Sequence, residues 1–290
     1  MEWTWERLRL AKEAMCQALK EKGLDAFRFL APDEEEASET VRAILVVLFP
    51  YYAGVSEGNL SMYCRGKDYH KVVPDYLESV AEAAKAQLGE ELVCHAYADT
   101  GPFRDRYLVL RGGLGVVGRS QMMINERYGT YFFVGYMTLN APIEPDEAVP
   151  FTNGIGCLDC GRCVKACPGG AMREDGGFIP ERCLSGITQK KGELEDFEKE
   201  ILQKNGMIFG CDVCQTVCPM NRNVPVSSIK EFTEDRIDSL DLKDLEGLSR
   251  KGLERKYPDR AFTWRGPEVL RRNLRLLGET EGKAEGENGN

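Results

Sequence analysis

The sequence predicts an α/β (α+β) chain with a cysteine-rich module inserted in it or appended to it. Three observations carry that prediction. Helix and strand signals alternate through the first half, as a layered α/β architecture requires. Ala43–Phe49 is continuously apolar and stops at Pro50, which suits a strand covered on both faces. Eight of the eleven cysteines fall between 157 and 218, in two runs that each end in Cys-Pro with one more cysteine between them.

The elements follow in order. Residues 3–22 read as an amphipathic helix with Trp3, Leu10, Met15 and Leu19 among its apolar positions, and Gly23 stops it. Asp25–Leu30 is a short strand, 72–90 a second helix following Pro74, and Val93–Tyr97 a strand that breaks at Ala98-Asp99-Thr100-Gly101-Pro102. Gly113, Gly115 and Gly118 fit the spacing G-x-G-x-x-G, but they follow a helix and precede strand-like aromatic segments. A dinucleotide site needs the opposite order. The stretch therefore reads as a turn where backbone approaches something flat or bulky. Further on, 227–257 reads as acidic and helical and Phe262–Leu277 as a basic helix, while Gly278 onward lacks apolar residues and is expected to be disordered. The expected division is 1–150 for the α/β domain, 151–225 for the cysteine domain, 226–278 for a helical segment and 279–290 for a tail.

Composition bears on several classes without excluding nucleic-acid binding, since a local basic patch can sit on an acidic protein. The 290 residues carry a net charge of −9, which does not advertise a nucleic-acid surface. Arg104, Arg106, Arg111 and Arg119 form one local basic candidate and Arg265, Arg271, Arg272 and Arg275 another; taken alone, each reads as a solvated face. No apolar run approaches the roughly 20 residues of a membrane helix. An odd number of clustered cysteines argues against a disulfide scaffold and for a reducing cytoplasm. Cys16, Cys64 and Cys94 stand singly and read as buried or incidental thiols.

Cys157, Cys160, Cys163 and Cys167, followed by Pro168, reproduce the ferredoxin run for a cubane [4Fe–4S] cluster. In that run three thiolates wrap one cube and the fourth serves another. The second run, Cys211, Cys214 and Cys218 before Pro219, supplies the partner, and Cys183 its missing ligand. The expected sets are Cys157, Cys160, Cys163 and Cys218 for one cluster, with Cys167, Cys183, Cys211 and Cys214 for the other. A lone C-x2-C pair reads more readily as zinc; two runs sharing eight cysteines favour a ferredoxin-like pair of cubanes that pass single electrons.

Further segments resemble the epoxyqueuosine reductases, in the same order from about residue 58 to 277. They are Leu60–Lys71, which contains Asp68-Tyr69-His70; Tyr97–Pro102 with Arg106; Gly113–Arg119; Tyr131–Gly135; Ile208–Gln215; and Trp264-Arg265-Gly266 with Arg272-Asn273. The resemblance implies a cobalamin-dependent iron–sulfur enzyme related to reductive dehalogenases, which removes the epoxide oxygen of epoxyqueuosine in tRNA. It implies that the α/β domain holds cobalamin against the cluster domain. Residues alone favour Asp99 as a turn former; the resemblance makes it the proton donor, its acidity weakened by a desolvated pocket. It implies Tyr69, Met123, Val134 and Asp212 as cobalamin neighbours, the last three through backbone, with His70 a pocket or packing residue. Departures are Met62 for an arginine, Val116 and Met220 for tryptophans and Asp105 for a glutamate. The expected protein is a short, monomeric member without C-terminal helical repeats. It would bind tRNA, stay off membranes and take electrons from a flavodoxin- or ferredoxin-type donor. The rival readings are an electron-transfer protein that reactivates another corrinoid and a corrinoid reductase of a small molecule.

Overall fold

Four strands build the first half: β1 (Phe27–Leu30), β2 (Ala43–Pro50), β3 (Cys94–Ala98) and β6 (Phe132–Leu139). They form an antiparallel sheet in the order β1-β2-β6-β3. The computed structural model describes residues 3–147 and 157–287, with side chains as far as 278, so the expected boundary at 150–151 lies outside the described residues. All eight residues of β2 are buried, as its unbroken apolar run demands. Its side chains alternate between two cores. Leu45, Val47 and Phe49 face α1 (Trp5–Glu21) and α2 (Tyr69–Leu88), while Ile44, Val46 and Leu48 face α3 (Asp105–Arg111) and the small hairpin of β4 (Val116–Val117) with β5 (Met123–Ile124). Each such side chain contributes about 1.5–3 kcal/mol relative to exposure, so this strand is the centre of the domain. The layered architecture is as expected, with wholly antiparallel pairing.

Helix α2 begins at Tyr69 rather than after Pro74, because the Asp68 carboxylate accepts the His70 backbone N–H and caps the helix there. Gly135 of β6 lets that helix sit close. A Cβ there would run into Val73 of α2 and Phe49 of β2. The glycines of the 113–118 turn serve the hairpin: a Cβ at Gly115 would meet the Ile124 carbonyl at 2.8 Å, and one at Gly118 the Ile124 side chain. Their close approach is to neighbouring backbone and side chain.

The second half is a chain of short helices, α4 (Arg162–Ala166), α5 (Leu184–Gln189), α6 (Asp196–Gln203), α7 (Val213–Thr216), α8 (Lys230–Thr233) and α9 (Arg250–Lys256), followed by a long one, α10 (Pro267–Glu287). The helical stretch expected over 227–257 is broken into pieces by residues at positive φ, Asp235 (46°) and Gly247 (64°). The final helix starts at Pro267, after Gly266 at φ 86°, not at Phe262, and its backbone is helical to Glu287 where a disordered tail was expected from Gly278. These pieces share a core with the first half, in which Leu60 and Cys64 pack with Ile208, Phe209, Leu245, Phe262 and Leu270. A short parallel bridge, Leu60 to Phe209, ties the two runs of chain. Asn273, fully buried, donates from Nδ2 to the Thr188 and Ile208 carbonyls at 2.8 Å each.

Candidate functional site

The eight cysteines sort into two groups. Cys157, Cys160, Cys163 and Cys218 line one cavity, with Arg119 and Arg162 at its edge. Burial pushes the Cys163 thiol up, with Cys218 and Cys157 adding to the effect. Cys211 is pushed up to about 11 by burial, with Cys183 and Cys167 contributing, and Cys214 to about 12 by burial, with Cys211, Cys183, Cys163 and Cys167 contributing. Cys211 and Cys214 thus share an electrostatic neighbourhood with Cys167 and Cys183, which Cys163 also enters. All eight thiols are free. Four thiols around one cavity fit the donor set of an iron–sulfur cube. The Ala171 N–H donates to Cys167 Sγ at 3.2 Å, the kind of hydrogen bond that tunes a cluster sulfur.

The second run is also bolted to the α/β domain. Asp212, 8% exposed, accepts from Ser61 Oγ at 2.5 Å and from the Met62 N–H at 2.8 Å. Burial raises its carboxyl, and these hydrogen bonds pull the other way. Gln215 Nε2 donates to Tyr51 Oη and the Thr130 carbonyl, and Asn221 Nδ2 to Thr130 Oγ1 and the Gln215 carbonyl. Between the two halves lies a cavity of about 460 Å³, lined by Tyr52, Met62, Tyr131, Met207, Asp212 and Cys218 among others. Tyr52 and Tyr131 stack at 5.0 Å with planes 22° apart. Aromatic and thioether walls with a polar rim suit a wide planar group, so these residues fit a corrinoid.

A second feature stands at the end of β3. Asp99 is in the left-handed region, φ 64°, which aspartate tolerates better than most non-glycine residues. Its carboxylate does not close a turn. Tyr69 Oη donates to Oδ2 at 3.1 Å and His70 Nε2 lies 3.4 Å from the same oxygen. His70 Nδ1 contacts Asp68 at 2.8 Å, so one imidazole bridges two carboxylates. Burial raises the Asp105 carboxyl, with the Asp99 backbone N–H among the groups opposing it. The following loop is anchored by Phe103 N–H donating to the Tyr136 hydroxyl at 2.9 Å, and Gly101 leaves that hydroxyl room.

The proton inventory here differs from the expectation. The Asp99 carboxyl lies below its ordinary value, held down first by His70 and then by Tyr69, with burial opposing. His70 is raised to about 9 by its hydrogen bonds to Asp68 and Asp99. Burial pushes the Tyr69 phenol well up. At neutral pH the protons therefore sit on His70 and Tyr69, and Asp99 is a carboxylate. The expected desolvation is present but outweighed by an imidazolium whose two carboxylate partners keep it charged.

The other expected residues divide by sheet face. The Tyr69 ring stacks on Phe133 at 4.2 Å and 7°, and Phe133 leads through Tyr51 to Tyr131 at the cavity wall. Met123 and Val134 belong to the opposite core with Leu108 and Tyr136. Only their backbone could serve a ligand shared with Tyr69. His70 turns out to be central to the Asp99 arrangement rather than packing. Sequence reading missed Asp68, whose only signal is its place two residues before His70, and Asn221, which carries no signal because its partners are distant in sequence. Of the eight candidate arginines, Arg111 is held within the structure by Asp33 and Glu36, Arg119 by Asp159, and Arg272 by the Lys190 and Gly192 carbonyls.

The fold and its thiols define a protein with two [4Fe–4S] clusters, the cluster module being built onto an antiparallel α/β-layered domain. Residues 156–221 match the family described as "4Fe-4S double cluster binding domain", and residues 33–100 the family described as "Epoxyqueuosine reductase QueG, DUF1730". The chain is a relative of the epoxyqueuosine reductases in sequence and in fold. It is 34% identical over 218 residues to the epoxyqueuosine reductase of Lactococcus garvieae, covering 75% of this chain and 60% of that one. It is 35% identical over 220 residues to the enzyme of Bacillus subtilis, covering 74% and 55%. The chain thus spans less than two thirds of the length of these curated relatives. The crystal structure of a selenomethionine-labelled epoxyqueuosine reductase superposes with a TM-score of 0.77 at 26% identity, covering 93% of this chain and 81% of that one. The structure of an epoxyqueuosine reductase with an epoxyqueuosine-modified tRNA-Tyr stem loop gives the same score and coverage at 25% identity.

Proposed function

We propose that this chain is an iron–sulfur, cobalamin-dependent reductase that removes the epoxide oxygen of epoxyqueuosine in a tRNA anticodon loop. The observation that carries this is the left-handed Asp99, its carboxylate between the Tyr69 hydroxyl and the His70 imidazole. Cys157, Cys160, Cys163 and Cys218 hold one cluster, and Cys167, Cys183, Cys211 and Cys214 the other. Tyr52, Tyr131, Met62 and Asp212 would hold the corrinoid, and Tyr69, Met123 and Val134 are the further contacts the resemblance implies. Bound there, a corrinoid supplies a strongly reducing centre that accepts electrons one at a time and engages carbon.

Conversion of an epoxide to an alkene and water consumes two electrons and two protons. One proton is at hand in the site, on His70, and the second comes from solvent, since the raised Tyr69 phenol keeps its own. Asp99 is the group that touches the departing oxygen. It takes a proton from His70 Nε2 across the 3.4 Å contact and passes it on, returning to the carboxylate. Asp68 keeps the imidazole charged and oriented through Nδ1. The reading places the protein in the cytoplasm, in keeping with eleven free thiols. No helix among the described residues is long and apolar enough to cross a membrane.

The test is anaerobic. The chain, reconstituted with iron, sulfide and cobalamin and then reduced, is mixed with an epoxyqueuosine-bearing stem loop, and the nucleoside is analysed by mass spectrometry. The reading expects loss of one oxygen atom and stem-loop binding that weakens steeply with salt. A loaded, reduced protein that binds no stem loop at low salt would remove the tRNA assignment.

A further inference from the structure

On one side of its cluster module this acidic chain carries a basic rim. Arg162 and Lys165 lie on α4, the first adjacent to Cys163 and the second two residues beyond it, and Arg222 follows Cys218 by four. The three border one open groove of about 510 Å³ whose floor includes Thr216, Val217 and Cys218. All three are exposed, and none is in an ion pair among the described residues, unlike Arg119 nearby, which is held by Asp159. Cys218 belongs to both this groove and the cluster cavity, and Cys160 of the same set is exposed. The surface nearest this cluster is therefore positive on a chain whose net charge is −9.

We propose that this groove is the docking surface for an acidic one-electron carrier protein, which reduces the cluster held by Cys157, Cys160, Cys163 and Cys218. Each encounter moves one electron: the reduced carrier is oxidised by one, the cluster is reduced by one, and no bond or proton changes place. Complementary charge steers such a pair and sets their orientation. Three cations around a cluster ligand suit a small acidic protein, whose surface charge they complement. The inference rests on the clusters and not on the identity of the substrate.

The probe is reduced flavodoxin, mixed anaerobically with the reconstituted protein while cluster absorbance is followed by stopped flow. In R162E/K165E/R222E the bimolecular rate constant should fall at least about tenfold at low salt, and the wild-type rate should fall as salt rises. Reduction by dithionite should be unchanged, as should the flavodoxin rate of K251E, a charge reversal on α9. Where the triple variant binds less iron, R222E alone carries the test, with an expected loss on the order of threefold. An unchanged flavodoxin rate overturns the proposal. So does an equal loss with dithionite, which would locate the defect in the cluster. A loss confined to stem-loop binding would assign the rim to RNA instead.

Discussion

At the scale of single residues, the site is a contest between burial and pairing. Asp99 is exposed, with 60% of its side chain open to solvent, and His70 and Tyr69 outweigh what burial it has and lower its carboxyl. His70 is raised from 6.5 to about 9, so the stability it contributes is fully present below pH 6.5 and is lost as pH rises through about 9. Asp99 is lowered, so its contribution is present above its ordinary range and disappears as pH falls. The His70–Asp99 pair is thus intact across neutral pH. In His70→Gln the fall in melting temperature between pH 6.5 and 9 should shrink relative to wild type, as followed by circular dichroism. Identical pH profiles for the two proteins would contradict the pairing.

At the scale of elements, what holds the cluster run to the sheet is a set of side-chain hydrogen bonds. Asp212→Ala would leave the buried Ser61 hydroxyl and Met62 N–H without their acceptor, costing about 1–3 kcal/mol. Chemical denaturation of the reconstituted protein should show that loss; unchanged stability would mean that the 61–62 loop finds another partner. This joint marks the limit of what the sequence discloses. β2 and the two cysteine runs were legible because their signal is local: an unbroken apolar run and a fixed ligand spacing. Asp99 could be named only through resemblance, since Asp before Thr-Gly-Pro reads equally well as a turn. The role of His70 was not legible, because its pairing with Asp99 spans 29 residues. The stretch 227–257 was misread as helical because Phe232, Leu240, Leu245 and Leu253 bury into cores built largely by other segments, and that tertiary demand overrides helical propensity.

At the scale of the molecule, two cofactor environments meet at one cavity. The sheet ends and aromatic walls supply one side, the second cysteine run the other, and Cys218 lines both the cavity and the cluster site. The aromatic series Tyr69, Phe133, Tyr51 and Tyr131 joins the Asp99 corner to that cavity. The central claim of the proposal is that Asp99 is where protons reach the substrate. The direct measurement is single-turnover product formation by Asp99→Asn, an amide that tolerates the left-handed backbone and so preserves the fold. The account predicts unchanged iron, cobalamin and cluster reduction, with oxygen removal slowed at least about a hundredfold. Oxygen removal at the wild-type rate by fully loaded Asp99→Asn would contradict it.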